Sequence, residues 1–589
     1  MRPSCFQRSV SVFLCLVFLI PILNLRVSAE PEKPKNDDEV YSYLQEVAEA
    51  IGVEGEISKA KEIQDFANNV YYIGEVEDCG YLIIDLETGS LLEYSLTAPS
   101  PYRNKDEDLY YLGPTYYYTY NRDSCCFVHT IIDETIKITD LEYIEKAKSW
   151  SYKMQETLQK ENEWKCETLL ETGVIKNYSP DDLIFEYEIQ NHDWIERLET
   201  NQQIGYYEVN NGNETEGCCG FIAAGMLLLW HDCFGNVDLI NDFIYVNSGK
   251  TGFRGPNLTR YLLTLGNGPS SSASGLLAES SIDDVLQSYF TNRYLSGDTT
   301  IISLFHYPVI YHLYNDETPI IIFGALDNPR YPEVPNSSPI ITHAVLGYGY
   351  NTYLSENDTA TYMVKSHFGW AGNYHSIFIN LSLMGEALYI SNLSSGTPTV
   401  NDVSTTSWAY GPAVFCIRNG LMEYASGSNF APSAAATREV FVYALYQAAG
   451  APKVTSADWS ALSSTFQDIS AANPKYLAAL AWAYVHGVMS GTSATMMAPK
   501  GLLTRAQAVT FLRAYSTAMG DTRKYTSGPS ASSFPDYSDI PNYARVPFNW
   551  ATTGYLITGS SGYLLPNNTL TRAQTAAIVR TYTEKMNRQ

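Results

Sequence analysis

The last third of this 589-residue chain repeats itself, and the repeat limits what that part can fold into. The dipeptide Thr-Arg recurs at a fixed step of 67 residues, and a proline lies five residues before each threonine. The three copies are Thr437-Arg438, Thr504-Arg505 and Thr571-Arg572. So regular a period predicts an array of small units, each of which buries its apolar face against its neighbours.

Each unit has the pattern of two helices. An Asp turn comes first, followed by a helix that carries a Trp, a glycine turn, a proline loop and a second helix that begins at the Thr. Thr504 with Gln507, and Thr571 with Gln574, have the spacing of a capping box, in which each side chain bonds to the other residue's backbone N–H. The tail is therefore predicted to be all-α.

This pattern resembles the S-layer homology module, a unit that binds secondary polymers of the cell wall. The resemblance implies three modules, at residues 398–456, 463–517 and 531–586, although Glu423-Tyr424 stands in the first where a glycine is usual. It also implies an anionic polymer as partner, because arginine forks suit acidic groups; a solvated surface arginine is the alternative at each position. The residues expected to bind polymer are Arg438, Arg505, Arg572, Asp468, Asp536, Trp482 and Trp550.

Charge is unevenly distributed along the chain. The formal net charge is −26, which argues against nucleic acid as the main partner. Residues 398–589 hold 14 basic and 9 acidic side chains, so the tail is basic while residues 1–397 are strongly acidic. A basic tail on an acidic body predicts that the tail meets an anionic partner.

Residues 1–29 have the pattern of a secretory signal peptide. Arg2 and Arg8 flank the start, residues 10–23 are an apolar run, and Val27-Ser28-Ala29 has the small-x-small cleavage form. An uncleaved anchor is the alternative. No later stretch offers the roughly 20 apolar residues that a membrane helix needs. We therefore expect a secreted protein with no membrane contact after signal cleavage, bound non-covalently to the cell wall or S-layer of a bacterium.

A second constraining stretch is Gly217-Cys218-Cys219-Gly220, which precedes an apolar run from Phe221 to Trp230. The run has no polar face at helical spacing, so it predicts a buried helix with the cysteines at its start. The dipole and unpaired N–H groups of a helix N-terminus favour a thiolate, which a histidine from elsewhere in the fold would activate as a nucleophile. Two buried structural cysteines, or half of a disulfide, are the alternatives.

Further along, a predicted strand opens at His343 and runs to Gly-Tyr-Gly, and the next predicted strand ends in a Gly-Trp loop. This order of motifs resembles the papain-like cysteine peptidases, most closely the streptopain branch, over about residues 201–397. The resemblance implies an α+β peptidase fold with Cys219 as nucleophile and His343 as general base. A satisfied core histidine is the alternative for His343.

The remaining site residues depart from the family pattern. His367 stands where the streptopain branch has an asparagine, and is expected either to orient His343 by a hydrogen bond or to mark weakened catalysis. The resemblance implies that Trp370 shields that bond from water. Gln202 and Gln203, along with the Cys219 backbone N–H, are expected at the oxyanion hole. We expect no metal site and no cofactor.

Residues 30–200 form a charged, helical start and then a strand-rich block. The block resembles the pro-region of streptopain-like peptidases in texture, and the run from Leu198 to Ile204 is polar, as expected of an exposed, cleavable connection. A permanent accessory domain is the alternative to a removable pro-region.

Taken together, the sequence predicts a secreted, wall-anchored cysteine peptidase that hydrolyses protein or peptide substrates. One alternative is a catalytically weak or inactive surface protein that uses the papain-like fold for binding. Another is a peptidoglycan amidase or related acyl-transfer enzyme.

Overall fold

The structure is a computed structural model that describes sixteen stretches of the chain. They are residues 37–53, 55–77, 80–106, 108–131, 135–139, 141–163, 182–198, 219–240, 258–266, 279–303, 306–324, 343–354, 360–369, 374–452, 454–521 and 524–586. The predicted signal peptide lies outside them.

The first two-thirds of the described chain mixes strands and helices. The strands are β1 Ile57–Gln64, β2 Val70–Val76, β3 Tyr81–Asp85, β4 Ser90–Ser95, β5 Leu109–Tyr111, β6 Tyr117–Asn121, β7 Cys126–His129, β8 Thr135–Lys137, β9 Asp182–Glu188, β10 Leu295–Ser303, β11 Ile320–Gly324, β12 Ala344–Leu354, β13 Ala360–His367, β14 Ile377–Asn380 and β15 Met384–Ser395. The helices are α1 Asp37–Ala50, α2 Leu141–Glu163, α3 His192–Glu196, α4 Cys219–Phe234, α5 Leu258–Leu265, α6 Glu279–Asn292 and α7 His306–Tyr311, which a π-helical turn, His312–Asp316, continues.

The tail is helical, as its repeats predict. Its helices are α8 Tyr410–Arg418, α9 Arg438–Ala448, α10 Ser456–Thr465, α11 Leu477–Val485, α12 Arg505–Ala518, α13 Arg545–Thr553 and α14 Arg572–Met586. Short 3₁₀ turns at 469–471, 474–476, 531–533, 537–539 and 542–544 connect them. None of the helices within the described stretches is long and apolar enough to cross a membrane.

All fifteen described strands belong to one sheet, in the order β10-β15-β11-β12-β13-β14-β4-β3-β2-β1-β5-β6-β7-β8, with β9 paired to β12. The boundary predicted at residue 200 therefore does not separate two sheets. Strand β14 pairs with β4 in antiparallel register, with Ile377 opposite Ser95. Strand β9, which precedes the boundary, pairs with β12, which follows it. The N-terminal block and the segment after it share a single sheet and a single apolar cluster.

Helix α4 is buried along almost its whole length, as its apolar sequence predicts. Every residue from Gly220 to Asp232 is buried, and the helix packs against β11, β12, α5 and α6. Gly220 permits the approach to α6, because a Cβ at that position would lie 2.8 Å from Ile282 Cδ1. The helix thus packs against the sheet near the start of β12.

One element of the sequence prediction is wrong. The apolar residues from Ile301 to Tyr314 predict a helix on sequence grounds, but Leu295–Ser303 is strand β10, paired with β15, and helix α7 begins only at His306. The run from Thr299 to Ile302 consists entirely of β-branched residues, which fit a pleated sheet surface better than a helix. Pairing with the long β15 strand decides the conformation.

The three repeats close on one another rather than forming a line. Single β-bridges join Thr437 to Leu502, Thr504 to Thr569, and Ala435 to Thr571. The first repeat therefore pairs with the second, the second with the third, and the third with the first. Both predicted capping boxes are present, since Thr504 and Gln507, and Thr571 and Gln574, exchange side-chain-to-backbone hydrogen bonds.

Candidate active site and cell-wall-binding repeats

Cys219 lies at the first position of α4, where the sequence predicts the nucleophile. It is half-buried and is a thiol rather than half of a disulfide. Its sulfur takes part in hydrogen bonds with the backbone of Ala344, Gly220 and Cys219 itself, each of which favours the thiolate. The bond to Ala344 brings the thiol to the start of β12, beside His343.

Burial nevertheless works against the thiolate in this arrangement. Removal from water raises the pKa of the Cys219 thiol, and the backbone hydrogen bonds offset only part of that increase. The strongly activated thiolate expected from the sequence is thus not the favoured form in this structure. The physical reason is the packed surroundings of the helix start, where water cannot solvate the charge.

His343 immediately precedes β12 and is buried. Its Nε2 lies 2.9 Å from the carbonyl oxygen of Phe368. A carbonyl can only accept, so Nε2 carries the proton and Nδ1 is the basic nitrogen. Burial lowers the pKa of His343 to about 4, which keeps the ring neutral at neutral pH. The shifts in the pKa values of Cys219 and His343 therefore both favour the uncharged form of each group.

His367 ends β13, and the hydrogen bonds of its two ring nitrogens go to backbone groups. Nε2 lies 3.0 Å from the Leu198 carbonyl oxygen, and Nδ1 accepts from the Gly369 N–H at 2.9 Å. The orienting bond to His343, expected from the His367 side chain, comes instead from the backbone carbonyl of the next residue, Phe368. The physical reason is that backbone partners engage both His367 nitrogens, while the Phe368 carbonyl faces His343.

The N-terminal block reaches this site. His129, in β7, is buried, which lowers its pKa to about 4, and a positive charge on His343 adds to that decrease. The Tyr116 hydroxyl lies 3.2 Å from where a Cβ on Gly324 would be, and the Gly324 N–H donates to the His343 carbonyl. The sequence offered no signal for either residue, because both approach the site only through sheet pairing.

The connection expected to be exposed begins with a buried residue. Leu198 is 3% exposed, and its carbonyl oxygen is held by His367, so the prediction of an exposed, cleavable start is wrong for this residue. Residues 199–204 lie outside the described stretches, as do the expected oxyanion-hole residues Gln202 and Gln203 and the expected shield Trp370.

A group of charged side chains lies on β9, α3 and β13. Glu188, His192 and Glu196 place potential metal-ligand atoms within 4.8 Å of one another, and their spacing of four residues is a signal that the search for metal ligands in the sequence missed. Lys365 contacts both carboxylates, with Nζ 2.8 Å from Glu196 Oε1. The ammonium group already supplies the positive charge that a metal ion would bring, so we interpret the group as an ion-pair network.

In the tail, each of the three predicted arginines reaches into another repeat. Arg438 donates to the carbonyls of Ser490 and Met497, and Arg505 donates to that of Leu564. Arg572 closes the ring by donating to the carbonyls of Phe430 and Glu423 in the first repeat. All three side chains are buried. Burial lowers the pKa of each guanidinium, to about 10 for Arg438.

The two predicted aspartates hold the proline loops. Asp468 accepts from the N–H groups of Met497 and Ala498, and Asp536 accepts from those of Leu564 and Leu565. Ala498 and Leu565 have positive φ, so the carboxylates stabilise a backbone turn that these residues adopt at some cost. Asp402 makes the equivalent bonds to Phe430 and Ala431 in the first repeat.

The two predicted tryptophans belong to the core of the tail. Trp482 is 1% exposed and Trp550 is 8% exposed. The guanidinium bonds join neighbouring repeats, whereas each aspartate holds a loop of its own repeat. Polymer binding by these seven residues stays a prediction. In this structure their side chains stabilise the tail itself, with the arginines closing the ring and the tryptophans lying in its core.

The tail was also compared with known protein families. Residues 465–509 are an S-layer homology domain. The match spans α11 and the first part of α12, in the second of the three repeats. An S-layer homology domain indicates a secreted surface protein attached non-covalently to the bacterial cell wall or S-layer. No peptidase family matches the chain. The comparison with curated proteins found no match.

Proposed function

We propose that residues 201–397 form a papain-like cysteine peptidase that the three tail repeats hold on the cell wall. The observation that carries the proposal is the hydrogen bond between the Cys219 sulfur and the backbone of Ala344, beside His343. It brings a cysteine at a helix start to the residue that follows His343 in the chain, although Cys219 and His343 are 124 residues apart in the sequence.

The proposed reaction uses these groups in order. His343 Nδ1 takes the proton of the Cys219 thiol, and the thiolate attacks the carbonyl carbon of a peptide bond. The negative oxygen that forms is stabilised by the Cys219 backbone N–H at the start of α4. His343 returns its proton to the leaving amine, and a water molecule then hydrolyses the thioester and releases the acid. Throughout, the Nε2–H bond to Phe368 holds the ring in place.

We propose that the N-terminal block keeps the candidate active site in an inactive state. His129 and Tyr116 approach the site, and the shifts in the pKa values of Cys219 and His343 both favour the uncharged pair. Displacement or removal of residues 30–200 would admit water and substrate. Removal would also break the β4–β14 and β9–β12 pairings, so a permanent accessory domain is the competing interpretation.

Labelling with iodoacetamide tests the nucleophile. Cys219→Ala should abolish labelling at mildly acidic pH, whereas Cys233→Ala, at a half-buried thiol near the other end of α4, should not. Cys218→Ala should also leave the labelling largely intact. Equal labelling of the wild type and Cys219→Ala would contradict the proposal.

Substrate assays then separate the competing activities. A peptidase should degrade casein, while a peptidoglycan amidase should act on purified peptidoglycan and leave casein intact. If a labelled Cys219 supports neither reaction, the non-catalytic surface protein is favoured. Activation is tested by following the mass and the peptidase rate of the chain together during incubation. A full-length chain that is already maximally active and stays intact would contradict activation by removal of the N-terminal block. Cys219→Ala is the control for self-cleavage.

A further inference from the structure

One peptide bond lies between two buried histidines. The Phe368 carbonyl and the Gly369 N–H belong to the same planar amide. The carbonyl oxygen accepts from His343 Nε2 at 2.9 Å, and the N–H donates to His367 Nδ1 at 2.9 Å. His343 and His367 thus contact opposite ends of a single polar group.

The hydrogen bonds around this amide all run in one direction. Because His367 Nδ1 accepts, its proton lies on Nε2, which donates to the Leu198 carbonyl at 3.0 Å. The series therefore passes from His343 through the amide and His367 to Leu198, with each donor pointing the same way. Hydrogen bonds in such a series polarise one another, so the bond at the Gly369 N–H increases the negative charge on the Phe368 oxygen.

The amide is fixed in position by its surroundings. His367 and Phe368 are almost completely buried. Gly369 has φ +76°, which favours glycine, and a Cβ there would lie 3.0 Å from Ile222 on α4. The turn therefore packs directly on the helix that begins with Cys219, and its carbonyl has little freedom to turn away from His343.

We propose that His367 is a positioning residue that acts on His343 through the Phe368–Gly369 amide. This inference rests on the proposed peptidase function. When His343 takes the Cys219 proton, the ring becomes positive, and the polarised Phe368 oxygen stabilises that charge. His367 supplies by relay what a side-chain amide would supply directly, without touching His343 itself.

Other charged and titratable groups face the two rings and set the background of the test. His129 interacts electrostatically with His343, while Glu196 and His375 act on His367, whose ring centroid is 6.0 Å from that of His375. Burial lowers the pKa of His367 to about 4, so the ring stays neutral and keeps Nδ1 as an acceptor over the pH range of an assay.

The test compares two matched pairs of variants in the full chain. His367→Asn keeps an oxygen that accepts from the N–H two residues on, whereas His367→Leu has a similar size and no acceptor. His367→Ser and His367→Ala form a second pair, which leaves the same cavity and is too short to reach His343. Unfolding midpoints within each pair show whether the two variants fold equally well.

We expect the acceptor to decide activity. Relative to the Asn variant, the Leu variant should lose about tenfold in kcat with KM unchanged. The Leu variant lacks one polarising hydrogen bond, and that bond matters only once charge develops on His343. The higher-pH inflection of the Cys219 alkylation profile, at which the His343 imidazolium loses its proton, should move to lower pH by about half a unit to one unit in Leu and Ala, and less in Asn and Ser. His375→Ala, which leaves the amide untouched, should change neither quantity by more than about twofold.

The outcomes separate this inference from the function on which it rests. If the wild type lacks this Cys219-dependent inflection, both the peptidase and the relay are overturned. If the inflection is present but Leu matches Asn, and Ala matches Ser, the relay alone is overturned and His367 only fills space. If Asn rescues and Ser does not, His367 is replaceable only by a group that reaches His343 directly, which also overturns the relay.

Discussion

Tyr94 and Phe378 stack face to face, with ring centroids 4.6 Å apart and an interplanar angle of 0°. Tyr94 lies in β4, in the N-terminal block, and Phe378 lies in β14, beyond the candidate site. The two residues are also opposite each other in the β4–β14 ladder. Together with the Ser95 hydroxyl, which donates to the Ser376 carbonyl at 2.9 Å, they join the two parts of the sheet.

This junction predicts that the two parts unfold together. Phe378→Ala should lower the free energy of unfolding by about 3–5 kcal/mol, because it removes a buried ring that packs across the junction. Tyr152→Ala, at a side chain that is 64% exposed on α2, should change it by less than about 0.5 kcal/mol. Circular dichroism and intrinsic fluorescence, followed during urea unfolding, should give coincident transitions for these two parts. These transitions should occur at a lower urea concentration than the transition of the tail. Separate transitions for residues 37–198 and 219–395 would contradict the prediction.

Glu93 predicts a pH-dependent stability for the N-terminal block. Its carboxylate is fully buried and accepts hydrogen bonds from Tyr81 and Tyr117, each at 2.5 Å. Burial raises the pKa of Glu93 from 4.5 to about 7, and the tyrosine bonds oppose that increase. The folded state thus binds the proton more tightly than the unfolded state does. The stabilisation is complete below pH 4.5 and is lost as the pH rises toward 7.

Glu93→Gln should remove this dependence. The variant should be more stable than the wild type at pH 8, by up to about 3 kcal/mol, and similar to it at pH 4. Urea unfolding at both pH values measures the difference. Glu77→Gln, at an exposed position, is the control. A wild type whose stability rises between pH 5 and 8 relative to Glu93→Gln would show the opposite sign and defeat the assignment.

The stability of the closed tail should depend on the side chain of Asp536. Its two oxygens accept from the N–H groups of Leu564 and Leu565 at 2.9 and 2.7 Å. Asp536→Asn places a donor against one of these N–H groups, so it should destabilise the tail by about 1–3 kcal/mol. Asp539→Asn, at an exposed position on the same turn, should have little effect. If both variants melt alike in calorimetry, the loop does not depend on Asp536.

Truncation after Thr397 tests the anchor. The truncated chain should appear in the medium, whereas the full chain should sediment with purified cell walls. Full-length Cys219→Ala should sediment like the wild type, since attachment does not depend on catalysis. Release of the full chain by added salt would support a contribution from the basic tail to binding of an anionic polymer. A truncated chain that still sediments would place the anchor elsewhere.

The sequence by itself determined features that depend on local chemistry. The 67-residue period located the repeats, and Thr504 and Thr571 marked the starts of their second helices, because a capping box is formed by residues three apart. The apolar run after Cys219 likewise predicted a buried helix that begins at that residue. Such features follow from neighbours along the chain, so they can be recognised without the fold.

Only the tertiary structure decided which distant groups meet. Arg438 and Asp468 have the residue types of a polymer site, yet their partners are backbone atoms in other parts of the ring. The group that orients His343 is a backbone carbonyl, which every residue possesses and no side-chain pattern reveals. The pKa values of Cys219 and His343 also depend on burial, which arises only when the chain packs. Desolvation and long-range backbone contacts arise when the sheet closes, and for that reason the sequence alone cannot specify them.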